Sequence, residues 1–357
     1  MSDPEANATD PAGTTSPREG RARAVLRTCA RIVCSLVLIF GALYVLMLWW
    51  RDRPYALDMS AQFAVHVGYL LTLVGVLHVI THRRVAVATC WLVLGMGCWV
   101  SVFTIATRAH HTQSCDTGPG IDASADPIEL TILSYNIDAH HVQNERPFLE
   151  LIERFDPDVL CFIESPYGMG RRVDPDQTRY PHRIHPEPGR FWNIEILSRV
   201  PFELPELMLE NEDNASSFVR VRSPLLELDS GRRALLSVFH PASPRTEKLW
   251  RGSQNKLVRD ATMMRAWNQG RCHPMIAIGD FNSTPFGRMH QVFARASGLR
   301  AHTRVFSGGT WPADLPRWLS LPIDSVWTSE GVEVEALHVG EGLPSDHRAI
   351  VTRLRIR

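Results

Sequence analysis

The sequence predicts an α+β domain of packed sheets behind a membrane-spanning helical segment. Three observations carry this. Long apolar stretches free of Asp, Glu, Lys and Arg lie near 32–50, 61–80 and 85–107. Beyond residue 128, short strand-like apolar runs alternate with amphipathic helical patterns. Those runs also end in polar side chains, most sharply at Gly279-Asp280-Phe281-Asn282, where the apolar run Met275–Ile278 breaks.

Taken in order, residues 1–24 read as a disordered cytoplasmic tail, since Ser, Thr, Pro, Gly, Asp and Glu dominate the first 20 positions. Residues 25–108 form a three-helix transmembrane region. Each apolar stretch is about the ~20 residues that cross a hydrocarbon core as a helix. A cleaved signal sequence is disfavoured: the first stretch is too long, lacks a small-x-small cleavage site and has further spans behind it. Arg18, Arg21, Arg23, Arg27 and Arg31 precede the first span, and Arg83 and Arg84 separate the second from the third. The excess of positive charge puts the N-terminus in the cytoplasm and, after three spans, the C-terminal domain outside. Trp49, Trp50 and Tyr55 fit an interfacial belt, and His66 and His78 are expected to face the helix bundle.

Residues 109–127 form a polar linker, and 128–357 is a plausible length for one domain. Its strand-like runs are Leu130–Tyr135, Val159–Ile163, Ile194–Leu197, Leu235–Phe239, Met275–Ile278, Ile323–Val326, Val334–Val339 and Ala349–Leu354. Helical patterns lie at 145–155 and 247–268, and the hairpin-like stretch 217–239 argues for antiparallel pairing. Basic and acidic residues balance at 38 each, so the chain lacks the basic excess of a typical nucleic-acid binder. The 7 cysteines show no metal spacing and indicate no disulfide framework; Cys161, inside an apolar run, reads as a packed thiol.

The chemistry sits at the strand ends. Asn136 ends the first run and Glu164 the second; a glutamate closing an apolar strand is costly to bury without a partner, which a hydrogen-bonded cap or a cation would supply. His240 ends a third run. Asp280 and Asn282, two apart on an extended backbone, point the same way and can grip a hard cation, a water or a phosphate oxygen. Asp324 opens another strand, and Ser345-Asp346-His347 precedes the last. A carboxylate and carboxamide set of this kind suits oxygen-coordinated Mg²⁺. Trp311 is expected to pack near these residues, and Arg171, Arg172, Arg179, Arg183 and Arg190 to form a solvated surface.

This order resembles the endonuclease/exonuclease/phosphatase superfamily over about 129–357. The likeness rests on LSYN at 133–136, DVLCFIE at 158–164, the histidine of SVFH at 237–240, GDFN at 279–282, GTW at 309–311, ID at 323–324 and SDH at 345–347. It implies a four-layer α/β/β/α sandwich of the DNase I-like kind that hydrolyses phosphoric esters with Mg²⁺ or Mn²⁺. Carried over by motif, Glu164 is the principal metal ligand with Asn136 beside it, and Asp346 binds or steers a second ion. Asp280 and Asn282 hold the attacking water and a phosphate oxygen. His347, oriented by Asp324, is a general base or a protonated phosphate clamp, and His240 sits across the phosphate. Phe239-His240-Pro241 differs from the abasic-site nucleases of the superfamily and disfavours DNA repair. The chain also looks like membrane-anchored members linked to cell-envelope glycopeptide resistance. The expected partners are therefore the bilayer and a phosphoester, favoured as a lipid-linked phosphate or pyrophosphate, with nucleic acid disfavoured and no protein partner inferable. A surface nuclease and a catalytically inactive membrane module remain the alternatives.

Overall fold

The computed structural model describes residues 17–50, 52–82, 85–107, 126–138, 146–166, 168–185, 193–205, 218–305, 308–341 and 345–357. Helices come first: α1 (Pro17–Trp49), α2 (Tyr55–Ala61), α3 (Ala64–His82) and α4 (Val85–Thr107). The tail expected over 1–24 is corrected at its end, because α1 already begins at Pro17. The Arg, Ala and Glu residues that follow favour helix, and proline is tolerated in a first turn. The third apolar stretch coincides with α4. The second is preceded by a separate helix, and α2 and α3 meet at an elbow bent by 63°.

Within α4, Val87–Ile105 is long and apolar enough to cross a membrane; α2 and α3 qualify only as a bent pair, and the apolar part of α1, Ser35–Trp49, is shorter. The helices pack on one another through Leu48, Ala61, Ala64, Val65, Trp91, Cys98 and Val102, and Phe286 of the C-terminal domain joins that cluster. Of the expected linker 109–127, only Asp126 and Pro127 lie among the described residues.

The domain then runs β1 (Ile128–Asn136), α5 (Arg146–Phe155), β2 (Val159–Ser165), α6 (Met169–Val173), β3 (His182–Ile184), β4 (Asn193–Ser198), β5 (Phe202–Glu203), β6 (Val219–Arg222), β7 (Leu225–Glu227) and β8 (Arg233–Pro241). It closes with α7 (Glu247–Asn268), β9 (Met275–Asp280), α8 (Arg288–Ser297), β10 (Arg300–Ala301), β11 (Asp324–Thr328), β12 (Val332–Val339) and β13 (Ile350–Ile356). The strands make a 6-stranded sheet in the order β12-β13-β1-β2-β4-β3 and a 7-stranded sheet in the order β10-β11-β9-β8-β7-β5, with β6 also on β8. Parallel pairing joins β1 to β2 and β8 to β9; the remaining pairs are antiparallel.

Period-two alternation builds the layers. In β1, Leu130 and Ile132 face the other sheet and meet Leu236, Val238, Ile276 and Ile278, while Leu133 and Tyr135 face Phe148 and Ile152 of α5. The outer face of the second sheet, with Leu235, Phe239, Ala277 and Trp327, is covered by Leu257, Ala261 and Met264 of α7 and Phe293 of α8. The result is a four-layer α/β/β/α stack, as expected. Each buried Leu, Ile or Phe contributes about 1.5–3 kcal/mol. Thr246 caps α7 by accepting from Leu249 N at 3.2 Å.

Cys272 is disulfide-bonded, where cysteine spacing indicated no framework; spacing carries no information about a pairing that the fold itself makes. Cys161 is buried and free as expected, and burial pushes its thiol well above the usual range.

Candidate active site

The parallel pairs β1–β2 and β8–β9 lie centrally in their sheets, and their C-terminal ends open on one cleft of about 810 Å³. Register explains the convergence. Asn136 closes β1, Glu164 is next to last in β2, His240 next to last in β8, and Asp280 closes β9 directly opposite Asp324 at the start of β11. Asn136, Glu164, His240, Asp280, Asn282, Asp346 and His347 all line the cleft. Asp324, expected beside them, is buried behind His347.

Asn136 sits at the centre. Its Nδ2 donates to Asp280 Oδ2 at 3.1 Å and to Glu164 Oε1 at 3.3 Å. Glu164 and Asn282 both hold positive φ, +54° and +48°, a conformation that non-glycine residues adopt at a cost of order 1–3 kcal/mol. Asn282 wraps back on the carboxylate two residues before it: its backbone N–H donates to Asp280 Oδ1 at 2.7 Å and its Nδ2 to Oδ2 at 3.1 Å. The turn needs Gly279, whose φ is +143° and where a Cβ would lie 2.1 Å from Phe239 O.

The two histidines flank Asp280 unequally. His240 Nε2 lies 3.3 Å from Glu164 Oε1 and 3.8 Å from Asp280 Oδ2, and its buried Nδ1 has no hydrogen-bond partner among the described residues. His347 Nδ1 is 2.9 Å from Asp324 Oδ2, leaving Nε2 facing the cleft at 3.7 Å from Asp280 and 3.9 Å from Asp346. Burial works against a charged His347, but the carboxylates of Asp324 and Asp280 outweigh it and raise its pKa to about 10. Burial raises Asp280 to about 6, with His347 and His240 opposing. Ser345 fixes the loop, donating to Asn136 O at 2.8 Å and accepting from His347 N at 3.0 Å.

Other residues of the cleft were not legible as site residues. Trp311 is 37% exposed and donates its indole N–H to Asp346 Oδ2 at 2.8 Å, so the expectation of plain packing is corrected. Met59, Gln62 and Phe63 reach the cleft from the α2–α3 elbow, and Arg220 and Arg245 from the domain. His66 does not turn to the helix bundle; its Nε2 lies 2.9 Å from Leu319 O. Of the arginines read as a solvated surface, Arg183 is buried against Asp174 at 2.6 Å, and Arg190 lies outside the described residues.

The family model for the endonuclease/exonuclease/phosphatase family matches residues 133–347, spanning every strand end that lines the cleft. The chain belongs to this family. Two of the solved structures it resembles share its fold at a TM-score of 0.50 or above. A Bacteroides thetaiotaomicron endonuclease/exonuclease/phosphatase family protein is 16% identical with a TM-score of 0.51, covering 65% of this chain and 100% of that one. D. rerio TDP2, complexed with a single-strand DNA product, is 16% identical with a TM-score of 0.50, covering 63% and 98%. The mannosyl-6-phosphatase Bt3783 of Bacteroides thetaiotaomicron is 17% identical with a TM-score of 0.48, covering 63% and 99%. Curated protein sequences contain no significant match.

The site's own chemistry fits the divalent ion that the family implies. Glu164, Asp280, Asp324 and Asp346 bring acid groups together against two imidazoles, with carboxamide oxygens beside them, a hard oxygen set that a divalent cation would neutralise. Asp280, Asp324 and His347 also lie close enough to share an ion. His347 Nδ1 is already engaged by Asp324, so this trio reads as an acid–imidazole relay, and Glu164 with Asn136 remains the better metal pair.

Proposed function

We propose that this hydrolase of the endonuclease/exonuclease/phosphatase family is a membrane-anchored, extracytoplasmic, metal-dependent phosphoesterase. Its proposed substrate is a lipid-linked phosphate or pyrophosphate of the cell envelope. The observation that carries the reading is the cleft itself: family strand ends form its floor, and the elbow of the N-terminal helices forms part of its rim. Asn136 and Glu164 would hold Mg²⁺ or Mn²⁺, with Asp346 available to a second ion. When bound, the ion would polarise a phosphate oxygen and offset developing charge.

The chain's own groups supply the rest. The cleft-facing Nε2–H of His347, charged by its buried carboxylates, would clamp a non-bridging phosphate oxygen as negative charge builds there. Asp280, held by Asn136 and Asn282, would take a proton from the attacking water. The water oxygen bonds to phosphorus, the bridging P–O bond breaks, and His240 from the opposite side would donate a proton to the departing oxygen.

Three features support the outward, three-span arrangement. The arginines in the first half of α1, ahead of its apolar part, and those between α3 and α4 favour a cytoplasmic side. The segment between α1 and α3 docks on the C-terminal domain through Arg53 and Asp58, and three crossings leave that segment and the domain on one side of the membrane. A disulfide at Cys272 fits an oxidising compartment. A C-terminal reporter that is active only in the cytoplasm tests the topology; a cytoplasmic signal would overturn it.

Activity is tested with the full chain in detergent micelles, given Mg²⁺ or Mn²⁺ and offered polyprenyl diphosphate, phospholipids and plasmid DNA. Metal-dependent release from the lipid, abolished by EDTA and by His347→Ala, is expected. Cleavage of DNA alone would make the protein a surface nuclease, and silence on all substrates would favour the inactive module.

A further inference from the structure

The hydrolytic loop is gripped from the helical side. The buried carboxamide of Gln62, in the α2–α3 elbow, accepts from Thr284 N at 2.7 Å and from Thr284 Oγ1 at 2.8 Å. Its Nε2 lies 3.5 Å from Ser283 Oγ. Ser283 and Thr284 directly follow Asn282, whose N–H and amide hold Asp280. The contact is close: a Cβ on Gly287 would lie 2.1 Å from Gln62 Nε2. One turn earlier, Asp58 accepts from Arg53 at 3.1 Å, from the indole of Trp250 at 2.9 Å and from Arg288 N at 2.9 Å, and Arg53 also donates to Phe286 O. Arg53 and Asp58 are each 1% exposed, so this is a built interface that breaking one partner would disrupt.

The same elbow turns an apolar side to the cleft. Met59 and Phe63 line it, and Phe63 is 48% exposed. A soluble substrate gives no reason to leave a phenyl ring bare at a phosphate site. Trp311 stands on the same rim. The loop that continues from it leads back to the membrane-side helices: Leu319 O meets His66, and the ring of Trp318, 56% exposed, lies 6.3 Å from that of Tyr69 on α3. Bare apolar side chains thus run from the mouth of the cleft to an apolar helix.

We infer that the α2–α3 elbow is part of the active site: Gln62 is a positioning residue for the Asp280–Asn282 loop, and Met59 and Phe63 receive the hydrocarbon next to the scissile phosphate of an amphiphilic substrate. This rests on the phosphoesterase reading and adds to it the residues that recognise the chain. The physical reason is economy of placement. The element that enters the bilayer also holds the carboxylate loop, so a lipid phosphate drawn along the helices arrives in register with Asp280 and His347.

The test uses the full chain in lipid nanodiscs with Mg²⁺, on bis(p-nitrophenyl) phosphate, geranyl diphosphate and a long polyprenyl diphosphate. Gln62→Leu is expected to lower kcat on all three roughly tenfold or more while KM stays within about twofold, and Gln62→Glu, which keeps the acceptor for Thr284, to restore most of it. A purely structural role would lower the melting temperature and the active fraction but leave kcat per folded molecule intact. The double variant Met59→Ser, Phe63→Ser is expected to cut the preference for long over short chain, measured as the ratio of kcat/KM values, on the order of tenfold. Wild-type kcat in Gln62→Leu together with an unchanged chain-length ratio would overturn the inference. A wild-type enzyme inactive on every phosphoester would overturn the underlying reading and the inference with it.

Discussion

The two ends of strand β11 each carry a buried polar group joined to a histidine, and they behave in opposite ways. At its start, Asp324 lies opposite Asp280 and meets His347 at 2.9 Å. At its end, Thr328 Oγ1 meets His302 Nε2 at 2.7 Å. Both imidazoles are largely removed from water, which by itself disfavours their charged forms. Carboxylates overcome this for His347 and raise it to about 10. His302 is instead lowered to about 4 by burial and then by Arg300. One strand therefore holds a charged histidine at its cleft end and a neutral one at its far end. Which side chains face the ring decides the matter, because burial presses both the same way.

Removing the charged member should have the largest effect. His347→Ala is expected to reduce turnover roughly 10²–10⁴-fold, since it deletes the cleft-facing donor. Circular dichroism of the variant should match wild type, and an unchanged rate would show that the phosphate is clamped elsewhere. Asp324→Asn asks less of the site. The imidazole stays but loses its anionic partner, so a drop on the order of 10–100-fold is expected, as for other groups that orient a functional side chain. The sign of the pH effect is fixed. Without Asp324, His347 gives up its proton at lower pH, so the alkaline limb of the rate profile should move down. A limb that stays in place would mean that His347 is not the cation the rate depends on.

Much of this cleft end is legible in the sequence, and little of what surrounds it. Asn136, Glu164, His240 and Asp280 announce themselves because each interrupts an apolar run, and the alternation of strands carries such interruptions to a common edge. The helix over 247–268 and the stretch over 85–107 were legible from hydrophobic pattern alone. Gln62 was not. Its partners lie more than 200 positions away in the chain, and a glutamine near the start of an apolar run carries no local sign of what it will grip. The place of His66 is hidden for the same reason, its partner being a backbone carbonyl that only the fold supplies. Trp311 looked like core because tryptophan usually is. What exposes it is a hydrogen bond to Asp346, which is itself 48% exposed at the cleft.

The smallest expected effect sharpens the contrast from the far end. Linkage gives the two histidines opposite slopes in the metal-free protein. His347 is raised on folding, so its stabilising contribution is full below about 6.5 and is lost as pH rises toward 10. His302 is depressed on folding, so the unfolded chain takes up its proton first; stability is full above about 6.5 and is lost as pH falls toward 4. His302→Gln keeps a polar group near Thr328 but cannot titrate. Melting temperatures measured with EDTA at neutral pH and near pH 5 should therefore fall less for the variant than for wild type, while turnover at neutral pH stays within about twofold, as for changes away from a site. An equal fall in both proteins would mean that His302 is already protonated in the folded state, and the difference between the two ends of β11 would then rest on the carboxylates of the cleft end alone.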